Sequence, residues 1–484
     1  MKRNSVIPTV ITDSLKADGT FVDNTIASTQ DKLGLKGIFK ALKIKKRSGE
    51  STLEQIVYAL LIMPLLAVNN VYCFAGKFLN VYIPGGQGIL YSFLSKQNIN
   101  WSLIQLRLSQ RLYQTVYTDD ETTAFVVDDT IKRRRGKQVQ AMSSHYDHNE
   151  GRHVMGQQIL QFGVASPKGF LPISSQIFVG KTKATERKKE FIDKRNAVAK
   201  SYEIAHTHTK HQMLGAMLKN ALSNGFYSHY LIGDAWFGCK KNISLALDND
   251  LTAIFMMKRN RAKYRYQGQE YTLKGLYRLL RKNMTVFPEK GYSYFSVVVE
   301  YNLSDKDDDW IPVKLIFSRA KRAPKNSWVV LLCSDSMLED RKVFETYALR
   351  WSIEVYFKEI KQNFGFLKEQ TGAYETHYAS IHLAAMRYVL LFYAYLTQNA
   401  VGFAEIRKRI GFQMELLTFT CLAWEIISAL INKVLDQRCR FLGDEFVESL
   451  KKAISAQVTG YLHYALQLDP ESAMLQQKAE KLGL

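Results

Sequence analysis

Along this chain the spacing of apolar positions changes character more than once, and each change marks a different kind of element. Up to about residue 120 apolar and polar residues mix at helical spacing, through Thr52–Leu79 and again through Trp101–Thr115, so helices are expected there. From Ala124 short apolar runs bounded by turn residues take over. Ala124–Val127, His153–Ala165, Phe170–Val179, Tyr230–Gly233 and Leu251–Met257 read as strands, with Ser166-Pro167-Lys168-Gly169 as the turn between the second and third. A charged helical stretch, about Thr185–Asn224, separates the third from the fourth, and a short helix, Lys241–Leu247, precedes the fifth.

Three successive strands, a helix and then strand–helix–strand is the order of a ribonuclease-H-like α/β domain. Residues 258–325 interrupt it. They are rich in Tyr, Lys and Arg, with β-type runs at Tyr292–Tyr301 and Ile311–Phe317, and read as a β-rich insertion. Ser327–Cys333 returns as a strand, Leu338–Phe364 as one long helix, and the rest is helical, with an apolar face in Ile381–Leu396. The expected fold is α/β: a ribonuclease-H-like catalytic domain at 121–372 carrying the insertion, between helical regions at 1–120 and 373–484.

Composition narrows the partner. The chain has 484 residues and a net charge of +21. A charge that large in a folded chain favours a polyanion, nucleic acid being the commonest. The five cysteines, Cys73, Cys239, Cys333, Cys421 and Cys439, are odd in number and lack Cys-x-x-Cys spacing. That speaks against a disulfide framework or structural zinc and fits a reducing compartment. Met1-Lys2-Arg3-Asn4-Ser5 leads into no long apolar core, so no secretory signal is expected. Ile56–Val68, interrupted by Pro64, is too short to cross a bilayer and reads as a buried helix pair. A soluble cytoplasmic protein with no membrane partner is expected. Lys40, Lys43, Lys45, Lys46 and Arg47 form a basic cluster within the first helical region, and Pro84-Gly85-Gly86 a turn.

Three acids sit where phosphodiester chemistry would want them. Cutting that bond requires an activated attacking oxygen and a stabilised leaving oxygen, which two divalent ions about 4 Å apart supply together. Magnesium takes hard oxygen ligands, and acids at strand ends converge readily. Asp128 and Asp129 end the first strand and Asp234 follows the fourth. Neighbouring strand residues point to opposite faces, so one of Asp128 and Asp129 faces such a site, while the other caps the turn or supports its neighbour. On the long helix, Tyr347, Arg350, Glu354, Lys358 and Lys361 fall within an arc of about 80°. One carboxylate among cations suits a metal ligand flanked by phosphate contacts; an Arg350–Glu354 surface ion pair is the plainer alternative.

The Tyr-x2-Arg-x3-Glu-x6-Lys spacing of Tyr347, Arg350, Glu354 and Lys361 resembles the signature of the insertion-sequence-four family of bacterial DDE transposases, and the likeness spans about residues 124–372. It implies a ribonuclease-H-like fold with a β insertion between the second Asp and the Glu, and a metal-binding catalytic triad. The first acid in that family stands directly before Thr, which selects Asp129, before Thr130; Asp234 and Glu354 complete the triad. The resemblance further implies Mg2+, replaceable by Mn2+, and DNA-backbone contacts from Tyr347, Arg350, Lys358 and Lys361. Trp328 resembles a tryptophan that stacks on a flipped base; the alternative for it is an ordinary strand aromatic. Lys132, Arg133, Arg134 and Arg135, with Lys137, follow the first acid at once and are expected on phosphates.

The function implied is a transposase that binds terminal inverted repeats, cuts at the element's ends and joins them to target DNA by cut-and-paste. Double-stranded DNA is the partner, as element ends and as target. A homodimer on DNA is expected, and a nucleoid-associated location when bound. The N-terminal helices are assigned to end recognition and the C-terminal helices to dimerisation. The rivals are a nuclease of the same fold that cuts without joining and a catalytically inactive DNA-binding descendant. His145, His148 and His153, and His206, His208 and His211, lack a Cys or Glu at zinc spacing and read as surface or packing histidines. Tyr292, Tyr294 and Phe295 read as packing within the insertion.

Overall fold

The computed structural model describes residues 24–465 apart from 43, 45–50, 69, 84, 119–120, 137, 148–149, 181–188, 288–290, 305–308, 325 and 398–401. Lys43, Lys45, Lys46, Arg47, Pro84, Lys137 and His148, the chain start and residues 466–484 lie outside the described residues. The chain divides into two units: residues up to Ile104 together with those from Ile360 onward, and Gln105–Glu359. The sequence pattern separates 1–120, 121–372 and 373–484; in the structure the outer parts of the chain cluster in one unit.

The outer unit starts with α1 (Asn24–Lys32), α2 (Leu35–Ala41), α3 (Leu53–Ile62), α4 (Val71–Lys77), α5 (Leu79–Tyr82) and α6 (Gly88–Leu94), and α7 (Trp101–Val116) begins in it. Thr52 and Gln55 form a capping box that starts α3. Pro64 falls in a 3-10 turn, Met63–Leu66, directly after it.

The central unit is built on one mixed sheet. Its strands are β1 (Ala124–Arg133), β2 (Ser143–Asp147), β3 (Arg152–Ser166), β4 (Gly169–Phe178), β5 (Tyr230–Gly233), β6 (Thr252–Met256), β7 (Lys263–Tyr266), β8 (Gln269–Thr272), β9 (Thr285–Phe287), β10 (Tyr292–Asn302), β11 (Trp310–Ala320) and β12 (Trp328–Cys333). They lie in the order β2-β3-β1-β5-β6-β12-β11-β10-β7-β8, with β4 also on β3 and β9 on β10. β3 and β4 run antiparallel to their neighbours, and β1, β5 and β6 run parallel. Ala124, Phe125, Val126 and Val127 are all buried, as a central strand covered on both faces requires. β1 and β5 are neighbours, with Val127 beside Gly233.

The insertion does not form a separate β module. β12 pairs with β6, and β11 and β10 continue the same sheet outward. It also carries a helix, Leu273–Leu280, that its sequence does not announce. β2, paired with β3 through Ser143–Asp147, was likewise not anticipated.

Helices of this unit are α8 (Ala197–Thr207), α9 (Lys210–Ser223), α10 (Lys240–Leu247), α11 (Leu273–Leu280), α12 (Asp340–Ala348) and α13 (Trp351–Asn363), whose last turn passes into the outer unit. The expected single helix over Leu338–Phe364 is thus two, broken at Leu349-Arg350. The outer unit resumes with α14 (Tyr374–Thr397), α15 (Phe403–Arg438) and α16 (Asp444–Ala465). α14 is long and apolar enough to cross a membrane, and its apolar window is 83% buried inside the protein.

Candidate active site

The pleat of β1 separates the two adjacent acids. Asp128 lies opposite Gln161 on β3, and Asp129 opposite Leu160; side chains opposite one another share a face, and successive ones alternate. Gln161 accepts a hydrogen bond from the Tyr356 hydroxyl on α13 (3.3 Å), so the Asp128 face is the one α13 covers. Because Val127 is level with Gly233 in the parallel β1–β5 pair, the next residues stand side by side: Asp128 within β1, which continues to Arg133 rather than ending at the acids, and Asp234 just past the end of β5. α13 brings Glu354 to the same place: Arg350 donates to Glu354 (2.7 Å) and reaches Asp128 (3.4 Å).

The electrostatics show how crowded these acids are. Burial, then the charges of Asp234 and Asp129, push the Asp128 carboxyl up to about 7; the Asp129 N–H, donated to Asp128 Oδ1 (2.8 Å), and Arg350 oppose this. Burial pushes the Tyr347 hydroxyl up to about 12, with Asp234 and Asp128 adding to it and Arg350 opposing. Asp234 is fixed by its own turn, where Oδ1 accepts the N–H groups of Trp236 (2.9 Å) and Phe237 (3.3 Å). Gly238 closes that turn against β6: a Cβ there would stand 2.1 Å from the Met256 carbonyl oxygen.

Asp129 faces the other way. Its carboxylate accepts from Lys210 Nζ at the start of α9 (2.6 Å) and from Gln158 (2.5 Å). Lys210 is 5% exposed, with its ammonium 4.4 Å from the Trp236 ring centre and 5.2 Å from that of Phe178. Burial, then the Lys210 charge, lower the neighbouring His145 to about 4. The carboxylates that the structure brings together are therefore those of Asp128, Asp234 and Glu354. It does not bring Asp129 to Asp234 and Glu354. Among the described residues no group of three or more His, Cys, Asp or Glu side chains is already arranged as a metal cage. In this conformation Arg350 bridges Asp128 and Glu354.

The other expected contacts are distributed unevenly. Arg350 lies over the Tyr347 ring (5.8 Å). Lys358 is exposed on α13, and Lys361 is half-exposed in its last turn. Trp328 is buried between Tyr277, stacked at 4.5 Å and 13°, and the Arg259 guanidinium, 4.1 Å from the ring centre. The ring is thus engaged in packing within the sheet, as the ordinary strand-aromatic alternative has it. Of the basic run, Arg133 pairs with Asp147 (3.0 Å) and Glu150, Arg134 donates to Gln157 (3.0 Å), Lys132 is half-exposed and Arg135 is exposed. Sequence reasoning missed Lys210, Gln158 and Trp236; only Trp236, two residues after Asp234, carried a local signal. In the outer unit, a cavity of about 570 Å3 lined in part by Tyr72, Tyr91, Glu369 and Arg387 is a separate feature. Arg387 there donates to the carbonyls of Leu60 (2.5 Å), Leu61 (3.1 Å) and Phe364 (2.7 Å).

No curated protein matches the chain. Among solved structures, the Drosophila P element transposase strand transfer complex is similar at 11% identity and a TM-score of 0.24, over 53% of this chain and 56% of that one. The chain thus spans little more than half the length of that relative. Two family models match: one described as DDE superfamily endonuclease over residues 45–274, and one described as Transposase DDE domain over residues 191–390. The first span contains Asp128 and Asp234 and the second Asp234 and Glu354, and together the matches support a DDE transposase.

Proposed function

We propose that this protein is a cut-and-paste transposase of an insertion sequence, similar to the insertion-sequence-four family, with a ribonuclease-H-like catalytic domain whose acids are Asp128, Asp234 and Glu354. The observation that carries the reading is the convergence of those three carboxylates, two from neighbouring parallel strands and one from the helix above them. Asp128 replaces Asp129 in this triad because Asp129 is committed to Lys210 on the opposite face.

The donor set fits a divalent cation. It is all oxygen, as magnesium and manganese prefer, and the burial and neighbouring carboxylate charges that raise Asp128 are what a bound cation opposes. Asp128, Asp234 and Glu354 would hold it. When bound, the ion activates water and stabilises the leaving oxygen. The remaining work falls to the chain itself. The Asp234 turn keeps its carboxylate aimed through two backbone N–H groups. Arg350, already at the cluster just before α13, and Lys358, exposed on α13, are cations for phosphate oxygens. Water attacks phosphorus at the element's end and a 3′ oxygen leaves, taking a proton; that 3′-hydroxyl then attacks a target phosphodiester, its proton is lost, and the target's own 3′ oxygen leaves and is protonated in turn. No covalent protein–DNA bond is needed. Double-stranded DNA is the partner, bound as a homodimer, with the N-terminal helices on the terminal repeats and the protein in the cytoplasm, nucleoid-associated when on DNA.

The test is cleavage and joining of DNA carrying the element's ends. Mg2+-dependent nicking and strand transfer are expected from the wild type, both lost in Asp234→Ala and Glu354→Ala. Nicking with no joining of a pre-cut end would mean a nuclease instead. Binding to the ends with no cutting under Mg2+ or Mn2+ would leave only a DNA-binding protein.

A further inference from the structure

Outside the acid cluster, the side chains around the start of α10 bring a thiol, an imidazole and an amide together. Cys239 is the N-cap of this helix, with extended backbone (φ −148°, ψ 161°). Its sulfur lies 3.9 Å from Nδ1 of His211, and that nitrogen is 3.0 Å from Oδ1 of the buried Asn242. Asn242 is held by its own donation to the Phe237 carbonyl (2.8 Å). The His211 ring is stacked on Trp236 (5.1 Å, 14°). The imidazole is therefore fixed by its neighbours beside the sulfur, at the N-terminal end of the helix.

We infer that Cys239 is a reactive thiolate, a modification site for small electrophiles of the hydroperoxide class. A thiolate rather than a thiol is the nucleophile, and a helix N-terminus next to a histidine is the setting that favours it. Burial by itself disfavours the thiolate, but the His211 contact and the N–H groups of Asn242 and Lys241 outweigh it, and the thiol is held below its usual value. His211 is correspondingly raised, chiefly by Cys239, with burial and the Lys241 charge opposing. Lys210 and Lys258 also lie over the Trp236 ring, 4.4 Å and 6.0 Å from its centre. Cys333 is the contrast: buried in β12, its thiol is pushed up to about 12.

The reaction balances without a cofactor. The Cys239 sulfur attacks one peroxide oxygen, the O–O bond breaks, and the products are a sulfenic acid on sulfur and hydroxide, or an alcohol from an organic hydroperoxide. Sulfur is oxidised and the peroxide reduced. The inference is independent of the transposase reading, since its readout is chemical labelling.

The experiment uses the full chain with limiting iodoacetamide, and separately hydrogen peroxide followed by dimedone, each mapped by mass spectrometry over time. Cys73 is the internal reference because it is exposed on α4 whereas Cys239 is half-buried. Cys239 is expected to react roughly three- to tenfold faster than Cys73 at pH 7, the gain in thiolate being offset in part by its lower nucleophilicity. His211→Ala should bring the Cys239 rate to or below that of Cys73 and leave Cys73 unchanged. Equal or slower labelling of Cys239 in the wild type, which needs no variant to fold, overturns the inference. So does a Cys239 rate that survives His211→Ala unaltered.

Discussion

Asp128 and Asp129 are adjacent in sequence, yet their replacement by Asn should do opposite things. Asp129 is paired with a buried lysine at 2.6 Å. Removing one partner of a buried pair strands the other charge and costs about 3–5 kcal/mol. For a unit of this size that lowers Tm by about 6–20 °C, while Asp128, Asp234 and Glu354 stay in place and cleavage by the folded fraction persists. Asp128 is the reverse case. Its folded carboxyl is held at about 7, against an ordinary value of 3.8. Ionising it therefore favours the unfolded chain, and stability falls as pH rises from about 4 to about 7 and stays lower above that. The full shift corresponds to about 4 kcal/mol. Loss of the 3.4 Å Arg350 ion pair, and the weaker neutral acceptor that Asn Oδ1 offers the Asp129 N–H, reduce the gain, so Asp128→Asn at pH 8 in EDTA should be more stable by about 1–3 kcal/mol. Its cleavage rate should fall at least about 1,000-fold, about 4 kcal/mol of barrier. Thermal melts in EDTA and in Mg2+, with nicking assays on the same preparations, measure both arms. Should Asp129→Asn prove too unstable, the paired replacement Asp129→Leu with Lys210→Met keeps the volume apolar and is close to neutral. A folded Asp129 variant that does not cut, beside an Asp128→Asn that does, would return the ligand role to Asp129 and refute the face assignment.

Trp328→Ala should lower stability by about 3–5 kcal/mol, since the ring is enclosed by Tyr277 and Arg259. A variant that melts like the wild type but loses DNA cleavage would show the ring acting on DNA instead. Arg387→Ala should destabilise the outer unit by about 3–5 kcal/mol, because three buried carbonyls lose a charged donor; denaturant unfolding with no change in midpoint would contradict this. His382, buried in α14, is lowered by burial to about 3. The unfolded chain takes up its proton first, so stability is lost as pH falls below about 6.5, by about 2 kcal/mol at pH 5. His382→Phe should flatten that limb of the pH–stability curve, and an unchanged limb would assign it to other groups.

How much of the site could be read in advance depended on which physical rule each residue obeys. The strands that carry it were legible because central strands buried on both faces must be continuous apolar runs, as Ala124–Val127 and Tyr230–Gly233 are. Alternation along β1 already required Asp128 and Asp129 to part, but it has no sign: nothing local says which face α13 will cover. The side was chosen by resemblance, through Thr130, and the geometry goes the other way because Gln161, opposite Asp128, meets Tyr356 while Asp129 meets Lys210. Lys210 itself was unreadable, since a lysine at a helix start looks solvated unless its partner, 81 residues away, is known. The helix signature shows a different limit. A uniform turn angle put Tyr347, Arg350 and Glu354 on one stripe, yet the chain breaks at Leu349-Arg350 with no Pro or Gly to mark it. Arg350 then reaches across the break toward Glu354 on one side and Asp128 on the other. Spacing thus grouped Arg350 and Glu354 for a reason that the fold only partly honours: Arg350 links Glu354 to Asp128 because tertiary packing lays α13 over Gln161, and the periodicity of the helix alone could not have placed it there.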